Sequence, residues 1–351
     1  MQRNLLIAAS LAALLLLVGC PSGKDKDGKP AGEGLVLYSA GNEIFSQHII
    51  DEFKKETGIV VKKAGDTEVT RGVFLRTRII KEKDNVQADV YWNNELANTI
   101  VLQQEGLLAP YKSPSASEIP EAWKDAEGYW TAFGLRARVF IVNTEKVKKE
   151  EMPTSMYDML DPKWKGKVGI SKITGGTTAT HAAALFELLG EEKAKEYYAK
   201  LKEAGVVICQ GNGHVMEQVR DGELFWGWTD TNDCNIALKQ NKPVTVVYPD
   251  QGSDQIGTLL IPHSVCLIKG GPNPENAKKF IDFLLRKETE RKLAFSDSVQ
   301  VPVRKGVEVP DVPPFVMDAQ KIKNFNGKID FTKVARRLPG VIEYMNQNFN
   351  N

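Results

Sequence analysis

Histidine and cysteine are scarce in this chain of 351 residues, four of each. Four histidines supply little general base. No G-x-S-x-G elbow, H-E-x-x-H pair or Walker A sequence is present, and no enzymatic activity is expected. So few cysteines in so long a chain exclude a disulfide-stapled mini-scaffold. Neither sign of charge dominates: 46 Lys and Arg stand against 45 Asp and Glu, a formal net charge of +1. Nucleic-acid binders carry a clear basic excess, so no nucleic-acid partner is expected, and a charged ligand must be met locally. No internal repeat of fixed period occurs. At 42% hydrophobic and 26% charged, the chain is neither disordered nor a polytopic membrane protein. Its length suits two domains of ordinary size.

The amino terminus reads as an address. Arg3 precedes an apolar run over 5–18, too short to span a bilayer comfortably, which ends in Leu17-Val18-Gly19-Cys20. That ending resembles the bacterial lipobox, in which the cysteine is lipidated and becomes the new first residue. Residues 1–20 are thus expected to be a lipoprotein signal with Cys20 as the lipid site. Residues 21–34, PSGKDKDGKPAGEG, lack large apolar side chains and read as a flexible tether reaching roughly 50 Å. The expected location is extracytoplasmic, in the cell envelope, with the membrane contacted through the lipid. Removal of Arg3 would leave 45 charges of each sign. It would also leave Cys209, Cys234 and Cys266, an odd set in which Cys209 and Cys234 are the candidates for a bridge in an oxidising compartment.

After the tether, strands alternate with helices. Strands are expected over 35–39, 59–63 and 88–92 and helices over 43–57, 68–83 and 95–105, which implies a parallel sheet with crossover helices. Residues 107–130, rich in Pro, Ser and Trp, read as a surface excursion before a strand over 131–142. A second block has strands over 168–172, 206–210, 224–230 and 244–248 and helices over 177–189, 191–204, 214–220 and 233–240. A late strand over 258–268 leads into one long helix starting near Pro274. The expected organisation is lobe one from 35–130 plus 257–320, lobe two from 131–256, and a C-terminal helical segment 321–351 assigned to neither.

Open α/β sheets bind ligands beyond the carboxyl ends of their strands, where helix N-termini present unpaired N–H groups. The segments at those positions are Ser39–Asn42, Asn93-Asn94-Glu95, Thr174–Thr178, Gly211–His214 and Thr229-Asp230-Thr231. The same residue types cap helices, which explains any one segment alone; five of them on matching edges favour a polar cleft. Within them the candidate ligand-binding residues are Ser39, Asn42, Asn93, Asn94, Glu95, Gly176, Thr177, Thr178, Asn212, Thr229, Asp230 and Thr231. Gly175-Gly176-Thr177-Thr178 suits an oxyanion, since glycine permits close approach and hydroxyls and N–H groups donate. On the strand over 131–142, Arg136 and Arg138 share one face. Either is a candidate to bind an anion bidentately, the other reading being an ordinary half-exposed strand. Arg71 and Glu68 are weaker candidates. Trp92, Trp226 and Trp228 read as core, with Trp92 the exception to watch. Of the histidines, His214 is the better cleft candidate and His48 reads as structural. Cys209, His214 and Cys234 do not have a zinc spacing.

The run LVLYSAGNEIFSQHIIDEFKKETGIVVKK, with ADVYWNNELANTIVLQQEGLLAPY, GLRARVFIVNTEKV and GGPNPENAKKFIDFLL, resembles the type II solute-binding proteins of ABC importers, in particular the group containing the ferric-ion-binding proteins. The resemblance implies an α/β fold of two lobes, each a mixed, mostly parallel sheet flanked by helices, with a ligand cleft between them. It also implies an ABC permease as partner and a small solute as ligand; a ligand-sensing subunit for a membrane receptor is a further alternative. The ferric members use a His in the first loop, a Glu after the third strand and two adjacent tyrosines. Here Asn42, Asn94 or Glu95, and Thr231 with Asn232 stand in those places. Ferric iron wants anionic oxygens, so these departures from the ferric pattern favour a small polar or anionic solute such as a phosphonate or phosphate ester. The alternative is ferric iron held through Glu95, Asp230 and Asp233 with a captured anion. The tandem Tyr197-Tyr198 lies inside an amphipathic helix and reads as one core and one surface residue.

Overall fold

Short β-branched and aromatic runs alternate with helices along most of the chain. The computed structural model describes residues 34–40, 43–65, 73–307 and 321–350, with backbone only at 43–45. The first block runs β1 (Leu35–Ser39), α1 (Glu43–Thr57), β2 (Val61–Gly65), α2 (Val73–Lys81), β3 (Val90–Asn93), α3 (Ala97–Gln104) and β4 (Leu108–Ala109). Then come the long β5 (Thr131–Asn143), β6 (Val168–Ser171), α4 (Gly176–Leu189), α5 (Glu191–Glu203), β7 (Val207–Cys209), α6 (Asn212–Arg220), β8 (Trp226–Asp230), α7 (Thr231–Lys239) and β9 (Val244–Val247). The chain returns through β10 (Leu260–Ile268), α8 (Pro274–Leu284), α9 (Lys287–Phe295) and α10 (Phe331–Asn348).

The strands pair in the order β2-β1-β3-β10-β5-β8-β6-β7, with β4 on β10 and β9 on β5. β1 runs parallel to β2 and β3, and β6 parallel to β7 and β8, as crossover helices require. β5 belongs to two half-sheets. Thr131–Ala137 pairs antiparallel with β10, and Arg138–Asn143 with β8 and β9. Every residue of β5 is buried, because helices or the other half of the molecule cover both its faces. Trp92, Phe53, Phe133 and Phe280 pack edge to face or tilted in the first half. Phe140 does the same with Trp226 and Trp228 in the second. All three tryptophans flagged in the sequence are therefore core. The described residues form one compact unit.

Several expectations need correction. The helix expected from Pro274 through residue 294 is two helices, broken at Arg286, which is extended. No Gly or Pro lies at the break; instead Arg304 donates to the Leu285 carbonyl at 2.7 Å and pairs with buried Glu290. Residues 107–130 are not wholly a surface excursion, since Leu108, Ala116 and Ile119 are buried. The C-terminal segment is α10, which packs on both α4 and α3, with Arg337 Nε donating to Glu187 at 2.9 Å. Tyr197 and Tyr198 are both core; burial raises both phenols well above their ordinary value, and the Tyr197 hydroxyl donates to the Met156 carbonyl. Cys209, Cys234 and Cys266 are free thiols. Cys20, Glu68 and Arg71 lie outside the described residues.

Two buried histidines give the fold an acid limit. Burial and then the Arg138 charge hold His181 well below 6.5, and burial with the Arg136 charge does the same for His263. In the unfolded chain both titrate near 6.5. The unfolded state therefore binds more protons below that pH. Stability is fully present above about pH 6.5 and is lost on acidification, each histidine contributing a slope of up to about 1.4 kcal/mol per pH unit until its folded pKa is reached. Urea midpoints measured across this range in the wild type and in His181→Asn check the slope; the variant's should be shallower.

Candidate functional site

The site forms where the parallel strands of the second half-sheet end. β6, β7 and β8 each deliver the chain into a helix, so the starts of α4, α6 and α7 converge beyond one sheet edge. At α4 this requires glycine. Gly175 is fully extended and Gly176 takes φ 59°, a left-handed conformation that a side chain disfavours. Neither α4 nor α6 has a side-chain cap from its N-cap residue, and both starts line the cleft, through Gly175–Thr178 and through Gly211 and Asn212. The cleft is narrow, with a cavity volume of about 40 Å³.

β5 supplies the charge. Arg136 and Arg138 project from one face, and the antiparallel register sets Asp230 directly opposite Arg138. Arg138 donates to Asp230 Oδ1 at 2.7 Å and to Asn212 Oδ1 at 3.2 Å. Arg136 lies 3.5 Å from Asp230 Oδ2 and donates to Asn232 Oδ1 at 3.1 Å and to the Asn94 carbonyl at 2.9 Å. Asp230 Oδ2 also accepts from Thr177 Oγ1 (2.6 Å) and Asn212 Nδ2 (3.1 Å). Burial alone would raise the Asp230 pKa, but the Arg138 and Arg136 charges and these hydrogen bonds outweigh it and hold the carboxyl below its ordinary value. A second carboxylate, Asp233, accepts from Thr229 Oγ1 at 2.8 Å and from the Asp230 N–H at 3.4 Å.

Of the residues singled out in the sequence, Asn94, Arg136, Gly176, Thr177, Thr178, Asn212, Asp230 and Asp233 line the cleft. Asn94 Oδ1 is buried there without a hydrogen-bond partner. Ser39, Asn93, Glu95, Arg138, Thr229 and Thr231 do not line it, and Asn42 lies outside the described residues. Arg138 is wholly buried and acts on the cleft through Asp230. His214 is not in the lining either; its Nδ1 accepts the Gln210 N–H. Lys172, Ser171 and Gln210 line the cleft although the sequence did not single them out. Lys172 follows β6 directly and precedes the glycines, a position that could have signalled it.

Two of the three carboxylates of the metal alternative are already engaged. Glu95 is buried and accepts from the N–H groups of Ala97 (2.7 Å) and Asn98 (3.0 Å), from Thr180 Oγ1 (2.6 Å) and from Asn93 Nδ2 (3.0 Å), so it caps α3 rather than offering oxygens to an ion. Asp230 is committed to two arginines. Among the described residues no group of three His, Cys, Asp or Glu is arranged to hold a metal. With two cationic side chains, Arg136 and Lys172, and two uncapped helix starts, the arrangement suits an oxyanion.

A family model described as bacterial extracellular solute-binding protein matches residues 101–326. Iron uptake protein A1 of Synechocystis sp. is 30% identical over 284 residues, 77% of this chain and 74% of that one. A putative 2-aminoethylphosphonate-binding periplasmic protein of Salmonella typhimurium is 30% identical over 278 residues, 77% of each. Among solved structures, the periplasmic binding protein AfuA from Actinobacillus pleuropneumoniae, with fructose-6-phosphate bound, superposes with a TM-score of 0.78 at 25% identity and covers 91% of this chain and 99% of its own. The fold is that of the type II periplasmic binding proteins.

Proposed function

Because the chain belongs to the bacterial extracellular solute-binding protein family, we propose that it captures a small phosphonate or phosphate monoester by hinge closure and delivers it to an ABC permease. The observation that carries this reading is the convergence of the uncapped α4 and α6 starts on buried Arg136. The phosphoryl oxygens would accept from N–H groups in the first turn of α4 and from the guanidinium, each charged hydrogen bond contributing about 1.5–3 kcal/mol. Asp230, already engaged by Arg138, sets Arg136 in place without cancelling both arginine charges. Lobe one would comprise 35–130 with 257–320 and lobe two 131–256, the solute being trapped where Asn94 of the first meets the helix starts of the second. The relatives' printed ligands, an aminophosphonate and a sugar phosphate, support the reading; iron is the ligand named for others.

The test is a thermal-shift panel of 2-aminoethylphosphonate, fructose-6-phosphate, inorganic phosphate and ferric citrate. A phospho compound present at a hundred times its Kd should add about 2.7 kcal/mol of stability. Stabilisation by ferric citrate alone would overturn the proposal. Export and anchoring through Cys20 belong to the same reading, the tether placing the receptor near its permease. Cells fed a labelled fatty acid should incorporate it into the wild-type protein, and Cys20→Ala should abolish incorporation and release the protein from membranes.

A further inference from the structure

β5, which runs through both half-sheets, and its neighbour β10 are both weakened at one point. Pro262 offers no N–H to the ladder, and the register slips after the next residue: His263 faces Gly134, but Ser264 faces Ala132. Phe133 is thereby left as a bulge residue. The backbone groups of Leu135, opposite Pro262, instead bond both ways to Val301 at 2.8 Å, so the segment after α9 forms a third member of this crossing. In that segment Val299 takes φ 40°, which a β-branched residue rarely tolerates. Its consequence is the placement of Gln300. This buried side chain occupies the space above Gly134, where any Cβ would collide with Gln300 Oε1. Its Nε2 lies 3.2 Å from His263 Nδ1. Gly134 and Arg136 share a face of β5, so Gln300 and His263 sit beside the root of the arginine that reaches the cleft.

We propose that Gln300 is a positioning residue for Arg136: held by the Val299 turn and seated on Gly134, it clasps His263 and fixes the β5–β10 crossing from which the guanidinium projects. The inference rests on the reading that Arg136 binds the solute, and it concerns the arginine's order, which exists without solute. His263 is neutral, as burial and the Arg136 charge dictate, so its Nδ1 accepts from Gln300 when the ring proton is on Nε2.

Gln300→Met keeps the volume and removes the donor. In ligand-free protein labelled at arginine nitrogens, the Arg136 Nε–H signal, assigned by its loss in Arg136→Lys, should exchange with solvent at least about tenfold faster in Gln300→Met. Arg138, fixed by Asp230 and Asn212, should be unchanged. Titration with 2-aminoethylphosphonate should show a Kd raised about tenfold, and the difference should vanish in an Arg136→Ala background. An unchanged Arg136 signal overturns the proposal, as does a lowered melting temperature with both the signal and the Kd at wild-type values. If wild-type protein binds no phospho compound, the functional reading fails, while the Arg136 signal still decides whether Gln300 orders it.

Discussion

Asp230→Asn is expected to lose about 3–5 kcal/mol of folding stability, the largest effect of any single polar substitution in the cleft. The change keeps the side chain's shape, removes its charge and turns one of its two acceptor oxygens into a donor NH2. Arg138 is wholly buried and Arg136 nearly so, and Asp230 is the carboxylate that meets both. Without it the wholly buried Arg138 keeps only the Asn212 amide oxygen as partner, and the penalty of an uncompensated buried charge is paid in full. Urea unfolding of the variant at neutral pH measures the loss. Adding Arg138→Met to Asp230→Asn should recover much of it, because the charge is then removed together with its partner. A loss below about 1 kcal/mol in Asp230→Asn would show that the pair is solvated. The same carboxyl contributes to acid lability: its pKa is depressed in the folded state, so its stabilisation is present above about pH 4 and fades as pH falls through the lower folded value.

The second large effect concerns binding. Arg136→Ala should weaken a phosphonate or phosphate ester about a hundredfold, equivalent to about 2.7 kcal/mol, while lowering stability far less than Asp230→Asn. Arg136→Lys should restore only part of the affinity, since an ammonium keeps the charge and loses the planar fork. Lys172→Ala should cost less than either, because Lys172 is only half-buried and water screens it. Calorimetric titration of the three variants with one phospho compound orders them; equal affinities would remove Arg136 from the site.

Much of this architecture is legible in the sequence because local rules govern it. The alternation of strand and helix periods gives the parallel half-sheets, and the two-residue spacing of Arg136 and Arg138 gives their shared face. What separates those arginines is long-range. Only the β5–β8 register shows that Asp230 stands opposite Arg138 and draws it out of the cleft. Glu95 is drawn to the frame for a local reason that the sequence does contain: a carboxylate two residues before a helix start is in reach of the N–H groups there, and Glu95 accepts from those of Ala97 and Asn98. Helix capping and cleft lining draw on the same residue types. The segments divide accordingly: Thr229 and Glu95 serve the frame, Thr178 and Asn94 face the space. Gln300 carries no sequence signal at all, since its role depends on a left-handed valine and on the absence of a side chain at Gly134, a residue far away in the chain.

The near balance of charge acquires a local meaning. A chain with a formal charge of +1 gathers two arginines, one lysine and the positive ends of two helices at one sheet edge, and sets two aspartates beside them. The most direct measurement is a calorimetric titration of wild type and Arg136→Ala, side by side, with 2-aminoethylphosphonate and with fructose-6-phosphate. The expected result is saturable one-to-one binding of at least one compound at about micromolar Kd or tighter in the wild type, weakened about a hundredfold in the variant. Absence of heat with both compounds while ferric citrate binds, or equal affinity in the two proteins, would contradict an oxyanion site built on Arg136.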